Sequence, residues 1–365
     1  MTGQENCTRV TRQATKRAAS VMGVLDTHHP FNKKRSVLGE ISSNLVEVPE
    51  KLKIVANNNG VKKAVKKKTE KTDDIFASTF DVDGDSDDPQ MCSAYASDIY
   101  QYLRNMEIET KRRPLPNYIE KVQKDVTINM RAILVDWLVE VALEYKLHAD
   151  TLYLSVSYMD RYLSMNVLTR QRLQLLGISS MLIASKYEEI TPPNVDDFCD
   201  ITDNTYSKKE VVKMEADVLK SLKFEMGNPT VKTFLRKYNR VAQETQNTPS
   251  LKLQFLGYYL AELSLLDYEC IKFLPSLIAA SVIFLARFTV DSKMHPWSSA
   301  LQKYSGYKPS DLKECVLIVQ ELQLRKRGSS LTAIREKYAH RQLKNVSELT
   351  TPEIPVCFFA DIKEC

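Results

Sequence analysis

From about Ser93 onward apolar residues recur at helical spacing, and before it they do not. Between Met130 and Tyr145 they fall at 130, 133, 134, 137, 138, 141 and 145, the stripe of a helix with one buried face. Thr127 or Asn129 can cap its start, because a short side-chain oxygen there accepts from an otherwise orphaned backbone N–H. Asp150-Thr151 opens a second helix to about Leu163. Thr169 opens a third to Glu189 that is apolar almost all round (Leu173, Leu175, Leu176, Ile178, Met181, Leu182, Ile183), the signature of a helix at the centre of a bundle. Thr191-Pro192-Pro193 stops it. Shorter helices near 194–202 and 207–223 follow, the latter opened by a capping box of Ser207 and Glu210.

The five-helix pattern then recurs. Met181-Leu182-Ile183-Ala184-Ser185 aligns with Ile283-Phe284-Leu285-Ala286-Arg287 at an offset of 102, and Tyr206, Val211, Met214 and Val218 align with Tyr307, Leu312, Cys315 and Val319 at 101. Small residues in both central helices (Ser179, Ser180, Ala184, Ser185; Ala279, Ala280, Ser281, Ala286) let neighbouring helices approach closely. A period this long is a domain duplication, not a solenoid repeat. The expectation is an all-α chain of two tandem five-helix bundles joined near Gly227-Asn228-Pro229, with one helix ahead of the first.

Composition agrees with helices, since 10 Gly and 14 Pro in 365 residues leave little room for strand-and-turn architectures. Charge separates off the beginning of the chain. Residues 1–72 carry 15 Lys and Arg against 6 Asp and Glu, whereas residues 73–98 carry 8 Asp and no base. With no sustained apolar periodicity these segments bury too little surface to offset ordering entropy, so 1–92 is expected to be disordered. Its cluster Lys62, Lys63, Lys66, Lys67 and Lys68 suits an import receptor's acidic groove or nucleic-acid phosphates, or is simply a solvated run; the acidic stretch after it works against phosphates.

Candidate chemistry is sparse. Seven cysteines (Cys7, Cys92, Cys199, Cys270, Cys315, Cys357, Cys365) are widely spaced with no C-x-x-C, which argues against a disulfide framework or zinc site. No G-x-G-x-x-G or G-x-x-x-x-G-K is present. The longest apolar run, Leu277 to Ala286, falls short of the ~20 residues that span a bilayer. Arg9, Arg12, Lys16 and Arg17 precede no apolar stretch of the kind a secretory signal needs, so an intracellular protein without cofactor, metal or membrane association is expected.

Several long motifs resemble one family. Met130-Arg131-Ala132-Ile133-Leu134-Val135-Asp136-Trp137-Leu138-Val139-Glu140, then Met159-Asp160-Arg161-Tyr162-Leu163, Ala184-Ser185-Lys186-Tyr187-Glu188-Glu189-Ile190 with Pro192-Pro193, Leu274-Pro275-Ser276 and Ile334-Arg335-Glu336-Lys337-Tyr338 are similar, in order and spacing, to the cyclins, and most to the A-type cyclins of plants. The resemblance covers about 93–340. It implies a regulatory tail over 1–92, a first cyclin box with its preceding helix over 93–228, a second box over 229–340 and a C-terminal tail over 341–365. It further implies a non-catalytic subunit that activates a cyclin-dependent serine/threonine kinase of the PSTAIRE type and controls S-phase and mitotic progression.

Residue by residue, the resemblance places kinase contacts at Lys186, Glu215, Tyr187, Leu219 and Met226, with Ile99 and Tyr102 on the preceding helix. Read without it, Lys186 is a lysine whose stem snorkels and whose ammonium pairs with Glu189 or Glu215, and the apolar five are ordinary core. A second implied surface, a groove for Arg-x-Leu segments of substrates and inhibitors, comprises Met130, Leu134 and Trp137 with a polar rim of Glu140 and Gln174 and added charge from Asp203. Helical spacing alone makes the first three core. In the tail, Arg35-Ser36-Val37-Leu38-Gly39-Glu40-Ile41 resembles a destruction box, with Arg35, Leu38 and Ile41 as its marks for the anaphase-promoting ubiquitin ligase, though Ser43 stands where the family has Asn. Nuclear localisation and no direct nucleic-acid contact complete the expectation. A duplicated cyclin-fold transcription factor would want a basic stripe and a zinc ribbon, and a helical scaffold that binds a kinase without activating it is separated only by the resemblance. Thr351-Pro352 and Thr248-Pro249 are candidate proline-directed phosphorylation sites.

Overall fold

Two expected helix starts are made by the expected side chains, Thr127 and Ser207 with Glu210, whereas the helix expected from Asp150-Thr151 begins at Ala149 and the one expected from Thr169 begins at Leu173, neither with a side-chain cap. The computed structural model describes residues 95–244, 250–328 and 330–361. The tail motifs Arg35, Leu38, Ile41 and Lys62 to Lys68, and Thr248, lie outside the described residues. Among those described, every regular element is a helix. A leading helix α1 (Ala96–Glu107) and a short α2 (Tyr118–Lys121) precede the first bundle, which is α3 (Ile128–Glu144), α4 (Ala149–Leu163), α5 (Leu173–Glu188), α6 (Val195–Asp200) and α7 (Lys208–Ser221). The second is α8 (Val231–Glu244), α9 (Leu251–Leu266), α10 (Pro275–Val290), α11 (Ser299–Ser305) and α12 (Pro309–Gln323), with α13 (Ala333–Tyr338) after it.

Thr127 caps α3 by accepting from the Met130 N–H at 3.3 Å, and Ser207 and Glu210 form the capping box of α7. Pro275 opens α10 at a position where its missing N–H costs nothing. Gly306, at φ +75°, closes α11 in the left-handed conformation that glycine adopts without strain.

Two central helices organise the core. From Leu173 to Ser185 every residue of α5 is buried, and so is almost all of α10. The first packs against α3, α4 and α7, the second against α8, α9 and α12. All eight residues of the aligned series Tyr206, Val211, Met214, Val218 and Tyr307, Leu312, Cys315, Val319 are buried, so the repeat in sequence is a repeat in packing. The bundles meet where α3 touches α9 and α4 touches α8. There Arg131, fully buried, forks onto both oxygens of Asp160 at 2.8 Å and donates to the carbonyl of Leu265 in α9 at 2.9 Å. Asp160 also accepts from the Tyr118 hydroxyl at 2.9 Å, which ties in α2.

The C-terminal stretch packs on the second bundle. Val346, Ile354 and Phe359 are buried, Phe359 stacks on Phe284 at 5.2 Å, and Gln320 donates to the carbonyl of Pro352 at 2.8 Å. Thr351, a candidate phosphorylation site in the sequence, is buried, its hydroxyl 2.5 Å from that of Thr289.

Candidate functional site

A cleft of about 680 Å³ opens where α1, the end of α5, the start of α4, the turn after α7 and the start of α8 converge. Its floor and walls include Tyr102, Met106, Leu154, Tyr187, Phe224 and Met226, and its charged rim Asp150, Glu188 and Arg236. Arg236 pairs with Asp150, joining the two bundles across the cleft. Burial, with Asp150 adding repulsion, raises the Glu188 carboxyl above its ordinary range.

The turn after α7 is shaped by backbone and held by side chains. Lys223 and Phe224 both take the left-handed conformation, at φ +53° and +58°, which breaks the helix and throws the Phe224 ring outward. Carbonyls of the turn are then pinned one by one. The Tyr158 hydroxyl donates to Met226 at 3.0 Å, Arg161 to Glu225 at 3.0 Å, and Arg112 to Gly227 at 2.6 Å. Arg161 also reaches Asn228 Oδ1 at 3.0 Å, while its burial depresses the guanidinium pKa. A Cβ at Gly227 would stand 2.7 Å from the Tyr187 hydroxyl, so a larger residue there would displace the tip of that ring.

Of the residues the resemblance implied here, Tyr102, Tyr187 and Met226 line the cleft, Tyr102 and Tyr187 being 60% and 56% exposed while Met226 is buried. Ile99 is exposed on α1, and Leu219 is half-buried against the core. Lys186 and Glu215 are brought together, Nζ to Oε1 at 2.6 Å, with the lysine about half exposed and the glutamate mostly covered. Phe224 (67% exposed) and Ile190 (99%) belong to the same apolar surroundings of α5 and α7, and the sequence reading missed both as site residues. The available signal was their place just beyond a helix end, where an apolar side chain has no helical face to join.

On the other implied surface, Met130, Leu134 and Trp137 are all buried, Trp137 at 2% exposure. Gln174, on the facing helix α5, is fully buried with neither its Oε1 nor its Nε2 hydrogen-bonded, and the Trp137 Nε1 is also without an acceptor. An added Cβ on Gly177, one turn along from Gln174, would stand 2.9 Å from Leu134, so α3 and α5 approach as closely here as glycine allows. Glu140 is half-buried, and Asp203 is exposed on the turn after α6 at φ +53°. Orphaned polar ends in such a place each cost ~1–3 kcal/mol.

Among the described residues no group of three His, Cys, Asp or Glu is placed to hold a metal ion, and no helix is long and apolar enough to cross a membrane.

Comparison with known proteins agrees with the architecture. Residues 98–227 match the family described as Cyclin, N-terminal domain, and residues 229–352 match Cyclin, C-terminal domain. The chain is 61% identical over 339 residues to the G2/mitotic-specific cyclin C13-1 of Daucus carota, covering 93% of this chain and 99% of that one. It is 54% identical over 360 residues to putative cyclin-A3-1 of Arabidopsis thaliana, covering 98% of each, and 63% identical over 278 residues to cyclin-A3-1 of Oryza sativa subsp. japonica, covering 76% and 74%. In fold it is similar to a viral cyclin from herpesvirus saimiri, with a TM-score of 0.53 at 23% identity over 60% of this chain and 95% of that one.

Proposed function

The chain belongs to the cyclin family, its near relatives being plant A-type cyclins, and from that premise we propose that it is the regulatory subunit of a PSTAIRE-type cyclin-dependent serine/threonine kinase. It contributes no catalytic group; it binds the active arrangement of the kinase better than the inactive one. A kinase is fast only when its strand-3 Lys is paired to the helix-C Glu and its DFG Asp sits on magnesium. Each tenfold gain in that population needs ~1.4 kcal/mol of differential affinity.

The observation that carries this reading is the apolar wall of the cleft, where Tyr102, Tyr187 and Phe224 stand exposed around a turn whose carbonyls are fixed by Arg112, Tyr158 and Arg161. Exposed aromatic rings on a pinned scaffold are costly to a free monomer and suit a partner surface. The Lys186–Glu215 pair supplies a donor and an acceptor beside it. Lys186→Ala and Glu215→Ala should each lower affinity for the purified kinase by about tenfold, because buried backbone groups of the partner then lose their mates. Titration calorimetry checks this, with phosphorylation of a histone-type substrate as the activation readout. Wild-type affinity in both variants would defeat the assignment of the pair, and absence of activation by the wild-type chain would defeat the function.

A second reading concerns substrate choice. The orphaned Gln174 and Trp137 atoms favour a groove that takes Arg-x-Leu segments, with Leu entering the apolar floor and Arg meeting Glu140. In the tail, Arg35, Leu38 and Ile41 mark the chain for the anaphase-promoting ubiquitin ligase, and Lys62 to Lys68 carry it to the nucleus, where it acts in S-phase and mitotic progression. The names of its relatives, one of them G2/mitotic-specific, support the timing. A cycloheximide chase through mitotic exit tests the tail: an unchanged half-life in the Arg35→Ala, Leu38→Ala double variant refutes the destruction box.

A further inference from the structure

Helix α1 has two faces with different destinations. Tyr100, Arg104 and Glu107, spaced by 4 and 3, lie on one side; Ile99, Tyr102 and Met106, spaced by 3 and 4, lie on the other. The second side is the one at the cleft. On the first, hydrogen bonds of Tyr100, Arg104 and Glu107 run to the second bundle. Tyr100 shares a hydroxyl–hydroxyl bond of 3.0 Å with Tyr238 and meets the rings of Phe234 and Tyr304. Arg104 donates to the Tyr307 hydroxyl at 2.7 Å, to Ser276 Oγ and to Glu107 at 2.8 Å. Glu107, only 2% exposed, accepts from the Ser276 backbone N–H at 2.9 Å and from its hydroxyl at 2.6 Å. A buried carboxylate, a guanidinium and two hydroxyls thus close a ring of charge-assisted bonds at the first turn of α10.

We propose that Arg104, Glu107, Ser276 and Tyr307 form a clamp by which the second bundle fixes the pose of α1, making them positioning residues for the kinase contact although none of the four lines the cleft. The inference rests on the kinase reading above for its consequence, but the clamp itself is a property of the free chain. Charge-assisted bonds are the strong and directional ones, and in this covered setting they fix both the rotation and the axial position of a helix. Rotating α1 by one residue would carry Arg104 off Tyr307 and turn Tyr102 away from the cleft.

Removing Glu107 would strand Arg104 and could unfold the region, so the decisive variant is Tyr307→Phe, which keeps the ring and deletes only the shared hydroxyl. Two arms read it in the full chain. Hydrogen exchange of the amides of residues 96–107 in the free protein should speed up by about tenfold while those of α5 stay as in wild type, the loss expected for one charge-assisted bond. Kinase affinity should fall by about threefold to tenfold in the wild-type background and by less than about twofold in a Tyr102→Ala background, because a clamp acting through α1 has nothing left to position once the α1 contact is gone. Unchanged exchange in 96–107 overturns the clamp, and so does an affinity loss that simply adds to that of Tyr102→Ala. Because the exchange arm needs no kinase, failure of the kinase reading and failure of the clamp are told apart.

Discussion

Gln174→Met should make the protein more stable and a poorer docking platform at once. The glutamine is the second residue of α5, wholly buried, and neither end of its amide is hydrogen-bonded. A buried polar group without a partner costs ~1–3 kcal/mol relative to its solvated state. Methionine has a similar volume and a similar helix propensity, so the exchange removes that cost without opening a cavity. Taking the middle of the range gives a gain of about 2 kcal/mol, and at ~2–4 °C per kcal/mol for a folded region of this size the melting temperature should rise by about 4–8 °C. Scanning calorimetry on the full chain measures it. Fluorescence polarisation with a labelled Arg-x-Leu peptide supplies the second readout, where affinity should drop by about tenfold because methionine cannot replace two hydrogen bonds. A lower melting temperature would show that an ordered water satisfies the amide and would refute the stability argument; a higher one with unchanged peptide affinity would leave Gln174 a core residue and refute the groove.

Asp160→Ala should destabilise by about 3–5 kcal/mol in a urea titration, since it strands the buried Arg131 and leaves the Tyr118 hydroxyl without its acceptor, whereas Arg131→Met with Asp160→Leu should recover most of the loss. Lys232 provides a pH signature. Burial, aided by the charge of Arg236, lowers its ammonium pKa to about 8, and its Nζ lies 3.1 Å from the centre of the Tyr258 ring. Between about 8 and the ordinary lysine value of ~10.4 the unfolded chain keeps a proton on this lysine that the folded chain has released, so the contribution of Lys232 to stability should rise with pH across that window. The difference in melting temperature between wild type and Lys232→Met should move in favour of the wild type from the lower to the upper end of the window, since the other titrating groups cancel in that difference.

Much of the fold was readable because its determinants are local. The hydroxyl of Thr127, the Ser207 and Glu210 pair and the prolines after Thr191 mark helix ends through bonds that span three residues or through a missing N–H, and such features survive in a one-dimensional string. The repeat was readable because buried positions of equivalent helices need similar shapes. The site was less so. Periodicity says which face of α1 is apolar, but the same spacing describes Met106, buried, and Tyr102, exposed, since the pattern does not record whether the covering surface belongs to this chain. Phe224 escaped because two consecutive left-handed residues that are not glycine leave no compositional mark. The pinning of the turn by Arg112 and Arg161 escaped for another reason: their acceptors are carbonyls, which every residue has.

The repeat also connects the two surfaces. The offset of 102 that superposes the central helices carries Gln174 onto Ser276, the second residue of α5 and of α10 respectively. In the second bundle that position is satisfied from within the chain, Ser276 giving its N–H and hydroxyl to Glu107 of α1. In the first bundle it is not, and both ends of Gln174 are idle. The aligned tyrosines diverge in step with this. Tyr206 spends its hydroxyl inside its own bundle on the carbonyl of Gln171 at 2.7 Å, while Tyr307 turns its hydroxyl outward to Arg104. One position of the duplicated bundle therefore binds a segment of the same chain in the second copy and keeps a fully buried, unbonded amide in the first. An idle buried amide costs stability where a satisfied one does not, so Gln174→Met is the substitution that separates a packing position from a docking one.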